Sequence, residues 1–101
     1  MNQYRRGRAI EYLLIHKCRR AGYSAMRSAG SKGVFDVHYW NATESHYAQC
    51  ALAGVKTKKD FEAMRNTPVP PKAQREMWEY QGRGKWKLTL FQRGKWKATL
   101  A

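Results

Sequence analysis

Cysteine and long apolar runs are scarce in this chain, and each scarcity excludes a class of protein. The two cysteines, Cys18 and Cys50, together with three histidines, do not provide the ligand spacing of a zinc site. We therefore expect both cysteines to be small buried hydrophobic side chains and not a disulfide. No stretch of the sequence has the composition of a signal peptide or a membrane-spanning helix. We therefore expect that the protein does not associate with a membrane.

Acidic residues are also scarce, with seven Asp and Glu against twenty Lys and Arg, for a formal net charge of +13. A field of that sign attracts polyanions, and nucleic acid is the first to consider. Ribosomal proteins and membrane-surface peptides share this excess of basic residues, so the net charge alone does not identify the partner. The apolar fraction of 43% and the four Trp residues argue for a folded protein and against a disordered basic tail.

The length of 101 residues predicts one domain with a modest core. Apolar residues recurring at Ile10, Leu14 and Cys18 predict the first helix, which Gly22 caps. Thr57 and Asp60 mark the start of the second helix. The pattern predicts, in order, a helix over 8–21, strands over 23–27, 34–40 and 46–52, and a helix over 57–65. The fold class is therefore α/β.

The last third of the chain holds a Pro-rich connection and an internal repeat. Residues 74–80 fit either a strand or a short helix. Residues 83–90 recur as 93–100, and their alternating Lys-Trp-Lys pattern predicts two strands joined at 92–94 as a C-terminal β-hairpin. Trp86 and Trp96 of the repeat could stack on opened bases, or serve as core or dimer-interface aromatics.

Asp36 lies between Phe35 and Val37, where a carboxylate is costly to bury unless it is paired or binds a cation. Strand alternation predicts that Asp36 faces one side while Phe35 and Val37 face the other. Gln49 and Ala51 share a face of the next strand, so a hairpin can bring them to Asp36.

Glu11, Asp36 and Gln49 follow the order helix carboxylate, strand Asp and strand Gln, which is similar to the order that the PD-(D/E)XK nuclease superfamily uses to hold a divalent metal against a phosphodiester. This similarity implies phosphodiester hydrolysis. Mg²⁺ prefers oxygen ligands and keeps several waters, so two carboxylates and one neutral oxygen suffice to hold it. The predicted metal ligands are Glu11, Asp36, the Gln49 side-chain oxygen and the Cys50 backbone carbonyl. The ion would polarise a phosphoryl oxygen and activate water.

The same residues carry a resemblance to a known family. It rests on the basic run 4–11, the pair Gly22-Tyr23, the Arg-Ser-Ala-Gly-Ser loop within 26–33, the run Phe35-Asp36-Val37 and the pair Gln49-Cys50. In this respect the chain resembles archaeal-type Holliday junction resolvases and their phage-encoded relatives, within the PD-(D/E)XK nuclease superfamily. The resemblance covers roughly the first two thirds of the chain.

The resemblance implies a small restriction-endonuclease-like core, with a mixed central β-sheet flanked by helices. Residues 1–66 would be the catalytic core, and 67–101 the Pro-rich connection and basic hairpin. It further implies a homodimer in the cytoplasm of a prokaryotic or phage-infected cell, cutting four-way DNA junctions with Mg²⁺ or Mn²⁺. The implied DNA contacts are Arg5, Arg6, Arg8, Arg27, Ser28, Ser31 and Lys32, with Arg27 as a backbone clamp and Ser31 as a phosphate or metal-water contact.

One catalytic position departs from the family pattern. Ala51 stands where the resemblance implies a Lys that orients the attacking water. Lys56, Lys58 and Lys59 follow the strand and are expected to point away, although one could reach back. An engineered Lys→Ala change or a natural non-cleaving relative would each explain Ala51, and the otherwise intact site favours the first.

Two hypotheses from different functional classes remain. The first is a junction-resolving endonuclease that Ala51 inactivates. The second is a non-catalytic basic nucleic-acid-binding protein that retains the nuclease fold. A ribosome-associated basic protein ranks last, because it gives no account of Asp36.

Overall fold

The computed structural model describes residues 3–28 and 33–100, in which each of two helices is followed by three strands. The elements are α1 (Gln3–Arg20), β1 (Ser24–Arg27), β2 (Val37–Trp40), β3 (Ser45–Leu52), α2 (Lys58–Asn66), β4 (Gln74–Gly82), β5 (Lys85–Gln92) and β6 (Lys95–Leu100). No helix within these two ranges is long and apolar enough to cross a membrane.

The strands form one six-stranded mixed sheet whose spatial order follows the sequence from β1 to β6. The first three strands are antiparallel neighbours. β3 and β4 run parallel, and β4, β5 and β6 are again antiparallel. Parallel neighbours need a crossover connection, and α2 is the helix within it. The predicted α/β class, a mixed sheet with helices, is therefore confirmed.

The two helices pack on opposite faces of this sheet. Leu14 of α1 is buried in one cluster with Val37 of β2 and Trp78 of β4. Met64 of α2 is buried in a second cluster with Met77 of β4. Because Met77 and Trp78 are consecutive residues of a strand, their side chains point to opposite faces.

A left-handed glycine ends α1. Gly22 has a φ of 96°, which L side chains rarely adopt. Its N–H donates to the Arg19 carbonyl at 3.0 Å, and the Tyr23 N–H donates to the Cys18 carbonyl at 3.1 Å. These two bonds form a Schellman motif, so the predicted cap is confirmed. The helix itself begins at Gln3 and not at residue 8.

The strand predicted over 34–40 is shorter than expected, because β2 begins at Val37. Phe35 packs in the cluster beneath α2, whereas Val37 packs in the cluster beneath α1. The expectation that these two residues share a face is therefore wrong, since regular alternation does not reach back to Phe35. As a consequence, strand alternation does not determine the side of the sheet to which the Asp36 side chain points.

Two Arg-Gly pairs turn the C-terminal strands. Arg83 and Gly84 have φ values of 53° and 74°, and Arg93 and Gly94 have values of 50° and 79°. Two consecutive residues with positive φ are typical of type I′ turns, whose twist matches that of the strands they join. The predicted C-terminal hairpin is confirmed by β5 and β6, and residues 74–80 belong to a strand, the first of the two alternatives.

Glu76 of β4 is a carboxyl only 1% exposed, and polar groups surround it. The Tyr39 hydroxyl and the Trp78 indole N–H donate to its Oε1. His46 contacts Glu76 Oε2 through Nδ1 and Glu44 through Nε2, and its ring stacks on Tyr39 with centroids 4.3 Å apart. We call these five residues the Glu76 cluster.

Candidate active site

A cavity of about 330 Å³ opens where α1 meets the start of β2 and the end of β3. Two carboxylates line it, Glu11 from α1 and Asp36 from the segment before β2. We call it the Glu11–Asp36 pocket. The other lining residues are Gly7, Ile10, Cys50, Ala51, Leu52, Val55 and Lys56. The predicted meeting of the helix carboxylate with the Asp is therefore observed, across residues far apart in the chain.

Hydrogen bonds hold both the backbone and the side chain of Asp36. Its backbone N–H donates to the Ala48 carbonyl at 2.8 Å, and its carbonyl accepts the Ser28 N–H at 2.9 Å. Its side-chain Oδ2 accepts the Cys50 N–H at 3.0 Å. The two backbone bonds fix the Asp36 backbone between β1 and β3, and the Cys50 N–H fixes one oxygen of its carboxyl group.

Burial raises the pKa of Asp36, and the nearby Glu11 carboxylate raises it further. The Cys50 N–H and the charges of Lys56 and Arg27 act in the opposite direction without overcoming burial. The ionised form of Asp36 is thus disfavoured in the protein alone. A cation in the pocket would relieve both causes.

Glu11 is bound to Arg27 of β1. The guanidinium Nε of Arg27 donates to Glu11 Oε1 at 2.7 Å, and the Arg27 guanidinium lies 5.7 Å from the centre of the Tyr12 ring. Accepting this bond, Glu11 raises the pKa of Arg27. Arg27, predicted as a clamp on the DNA backbone, therefore orients a carboxylate of the pocket. The second oxygen of Glu11 has no such bond to Arg27.

Gln49 does not line the pocket. Its side chain is 6% exposed, and its Nε2 donates to the Val34 carbonyl at 2.8 Å. Its Oε1 is buried without a hydrogen-bond partner in the part of the chain that the structure describes. The structure thus brings Ala51 to the same pocket as Asp36 but leaves the side chain of Gln49 outside it.

Cys50 reaches the pocket mainly as a structural residue. Its N–H binds Asp36, and burial raises the pKa of its thiol. Burial also raises the pKa of Cys18 to about 12. Both thiols are free and buried, as expected from the sequence, and neither is a reactive thiolate at neutral pH.

Lys56 lines the pocket with Glu11 and Asp36 and is only partly exposed. The three lysines after β3 were expected to point away unless one of them reached back, and Lys56 is the one that does so. Lys58 and Lys59 are exposed and do not line the pocket. The signal that could have found Lys56 is the Ala-Gly pair after β3, which marks a turn that reverses the chain.

The predicted DNA contacts are only partly described. Arg8 is exposed on α1, and Ser28 is half-buried directly after β1. Arg5 and Arg6 lie within α1, but their side chains lie outside what the structure describes. Ser31 and Lys32 fall outside the described residues.

The pocket residues fit a divalent cation with oxygen ligands. Within residues 3–28 and 33–100, no three His, Cys, Asp or Glu side chains gather as a metal-binding group. Mg²⁺ does not require three, because it is commonly held by one or two carboxylates, with waters and substrate phosphate completing its shell. Glu11 and Asp36 supply two carboxylates whose mutual repulsion a cation would remove.

No family model matches the chain, and neither a curated protein nor a solved structure matches it significantly.

Proposed function

We propose that this protein is a metal-dependent, structure-specific endodeoxyribonuclease that resolves four-way DNA junctions. The observation that carries the proposal is the pocket that Glu11 and Asp36 share, two carboxylates far apart in the sequence that line one cavity. Metal-dependent phosphodiester hydrolysis uses such a pair to hold a cation against the phosphate, where charge develops on its oxygens.

Glu11 and Asp36 would hold the cation, which is Mg²⁺ or Mn²⁺. When bound, it supplies a Lewis acid for the phosphoryl oxygen and lowers the pKa of a bound water. Arg27 orients Glu11, and the Cys50 N–H orients Asp36. These two contacts leave each carboxylate one oxygen that they do not engage.

The fold supports the finer proposal of a restriction-endonuclease-like core. A mixed sheet carries α1 on one face and α2 on the other, which agrees with the architecture that the resemblance implies. Three of the four positions that the resemblance implies as catalytic, Glu11, Asp36 and Ala51, line one cavity, and the fourth, Gln49, does not.

The charge of the chain supports DNA as the substrate. Exposed basic residues occupy both α1 and the β5–β6 hairpin, so that phosphates can be contacted on more than one side of the molecule. A four-way junction is recognised by shape, and contacts to its backbone suit that task. The homodimer and the cytoplasm of a prokaryotic or phage-infected cell complete the proposal.

Ala51 favours a second candidate, a non-catalytic basic nucleic-acid-binding protein that retains the nuclease fold. A methyl group neither orients water nor stabilises the charge on the phosphate. Under this alternative the Glu11–Asp36 pocket would be a remnant without chemistry.

The experiment that separates the two candidates is cleavage of a labelled synthetic four-way junction, with a linear duplex of the same arms as control. The parent protein and Ala51→Lys are each assayed in Mg²⁺ and in Mn²⁺. Nicks in opposite strands of the junction, with the duplex intact, support the resolvase. Binding of the junction by both proteins with cleavage by neither would establish the binding protein instead.

A further inference from the structure

We propose that Lys56 supplies the cationic group that is missing at position 51, so that the parent protein cuts DNA with a lysine delivered from the connection between β3 and α2. This inference rests on the proposed nuclease function and deepens it. Among the described residues that line the Glu11–Asp36 pocket, Lys56 is the one Lys or Arg.

The chain reverses directly after β3, and this reversal brings Lys56 back to the pocket. The Ala53 N–H donates to the Tyr80 carbonyl of β4 at 3.0 Å, which anchors the end of the strand. Gly54 then adopts a φ of 81°, and the Val55 N–H donates to the Leu52 carbonyl at 3.3 Å. A tight turn of this kind returns the following residue toward the strand that it leaves.

The other side of Lys56 is fixed by the start of α2. The Thr57 N–H donates to Asp60 Oδ2 at 2.7 Å, and the Thr57 hydroxyl donates to the same oxygen at 3.2 Å. Lys56 is therefore held between a hydrogen-bonded turn and a capped helix. Its backbone is positioned on both sides, as the precise placement of a catalytic side chain requires.

The neighbouring lysines show that this placement is particular to Lys56. Lys58 and Lys59 lie in the first turn of α2, are exposed and do not line the pocket. Lys56 is only partly exposed, and its charge acts on the carboxyls of both Asp36 and Asp60. A lysine stem can lie along apolar surface while its ammonium group reaches a polar site, and Val55 and Leu52 provide such surface here.

Ala51 lines the same cavity as Lys56, and its side chain is an uncharged methyl group. A lysine at position 51 would bring a second ammonium group to the same cavity. The small residue at 51 and the lysine at 56 are thus complementary features of one site.

The chemistry assigned to Lys56 is electrostatic. In hydrolysis, water loses a proton to solvent, its oxygen bonds to phosphorus, and the bond from phosphorus to the leaving oxygen breaks. The leaving oxygen then takes a proton from solvent. The Lys56 ammonium stays protonated throughout and donates hydrogen bonds to the phosphate oxygens, where negative charge increases at the transition state.

The test compares single-turnover cleavage of the four-way junction by the parent protein and by Lys56→Ala. Loss of one positioned donor of this kind typically lowers the rate about 100-fold or more. We expect that loss in Lys56→Ala, with the dissociation constant for the junction in Ca²⁺ changed less than about threefold, since a single phosphate contact contributes little to binding. Lys58→Ala and Lys59→Ala remove the same charge from exposed positions and should keep the parent rate.

The double variant Ala51→Lys with Lys56→Ala adds a second criterion. If Lys56 performs the task of the absent lysine, this variant regains cleavage that Lys56→Ala has lost. Regained cleavage also shows that a chain carrying Lys56→Ala can fold into an active protein, so that the loss in the single variant comes from the missing cation.

Failure of this inference is distinguishable from failure of the proposed function. A parent protein that is inactive while Ala51→Lys cuts, or a Lys56→Ala variant that cuts like the parent, overturns the role of Lys56 and leaves the nuclease intact. Absence of cleavage by both the parent and Ala51→Lys overturns the nuclease itself.

Discussion

At the scale of single residues, Asp36 sits where its ionised form is disfavoured by burial and by Glu11. Because its pKa is raised on folding, the folded protein takes up this proton at a higher pH than the unfolded chain does. The ionised carboxyl therefore costs stability above the folded pKa, and that cost disappears as the pH falls below the unfolded value. A carboxyl that lines a cavity and whose pKa is raised by burial and by a second carboxylate is typical of a functional site.

We predict that Asp36→Asn makes the protein more stable at neutral pH in the absence of divalent cations. The amide oxygen can still accept the Cys50 N–H, while the buried charge is gone. Thermal unfolding in EDTA should give a higher Tm for Asp36→Asn than for the parent. An unchanged or lower Tm would show that the ionised Asp36 carboxylate does not destabilise the folded protein.

Adding Mn²⁺ should reverse this order. A cation at about a hundred times its dissociation constant stabilises the folded state by about 2.7 kcal/mol, which raises Tm by about 10 °C in a domain of this size. The parent should show the shift, and Asp36→Asn should lose most of it. Equal shifts in the two proteins would place the cation elsewhere.

His46 in the Glu76 cluster gives a second prediction at this scale. Burial lowers its pKa, but the contacts with Glu76 and Glu44 outweigh burial, so that the net pKa is raised. The stability that protonated His46 contributes is complete below its unfolded pKa of about 6.5, and it is lost as the pH rises through the folded pKa.

The free energy of unfolding in urea should therefore fall as the pH rises above about 6.5, and His46→Gln should flatten that dependence. The pKa of His38 is lowered by burial and by His46, so its own effect has the opposite sign and lies below the unfolded pKa. His38→Gln is thus the matched control and should keep the fall above that pH. A parent protein whose stability does not change there would contradict the role given to His46.

The residues of the site were predictable to different degrees. Asp36 was identifiable because a carboxylate between two apolar residues is costly to bury unless it is paired or binds a cation. The position of Gln49 was not, since its amide turns to the Val34 carbonyl, a contact that depends on the irregular backbone before β2. Lys56 could not be distinguished from Lys58 and Lys59, because its approach depends on a turn geometry and not on strand alternation.

At the scale of elements, the first turn of α2 determines where the preceding residue lies. The Thr57 N–H lowers the pKa of Asp60 most. Burial acts in the opposite direction, and the charge of Lys56 and the Thr57 hydroxyl lower the pKa further, so that the net pKa of Asp60 is lowered. Its contribution to stability is therefore present above the unfolded pKa and is lost as the pH falls through the folded pKa.

We predict that Asp60→Ala destabilises the protein by about 1 kcal/mol, the usual magnitude for losing a helix cap. The same substitution should slow junction cleavage, since it loosens the start of α2 beside Lys56. Asp60→Asn keeps an acceptor for the Thr57 N–H and should retain more of both properties. Urea unfolding and single-turnover cleavage measure the two effects, and normal cleavage by a destabilised Asp60→Ala would show that the cap does not position Lys56.

Elements with local signals were predicted well. The helix caps at Gly22 and Thr57 and the two strands of the C-terminal repeat depend on residues that are close in sequence. The start of β2 was predicted poorly, because Phe35 packs beneath α2, an element that follows more than twenty residues later. Long-range packing of this kind overrides strand alternation and cannot be read from the sequence nearby.

At the scale of the whole molecule, the basic residues behind the net charge of +13 are spread along the chain, whereas the pocket is lined by two carboxylates and one lysine. The β5–β6 hairpin carries exposed lysines on both strands, beside a groove that Phe91 and Trp96 line. Trp86 is 4% exposed and packs against Trp78 and Tyr80, so it belongs to the core. The hairpin can therefore contact phosphates with its lysines while its Trp86 holds it to the sheet.

We predict that Lys95→Gln with Lys97→Gln weakens junction binding and lowers the slope of log K against log salt by about 2, about one unit for each phosphate contact. Glu62→Gln changes the net charge by one unit at an exposed position away from the hairpin and should leave the slope unchanged. Fluorescence anisotropy with a labelled junction across a salt series measures this. A slope that follows net charge in all variants would rule out a local contact by the hairpin.

The measurement that tests the central claim most directly is junction cleavage in Mg²⁺ with and without the Asp36 carboxylate. The parent protein and Ala51→Lys are each compared with the same protein carrying Asp36→Asn, at protein concentrations that saturate the junction. We predict paired nicks in opposite strands by the parent, and none once Asp36 is changed. Nicks that persist in the Asp36→Asn proteins, or a bound junction that no protein cuts, would contradict a metal-dependent nuclease at this pocket.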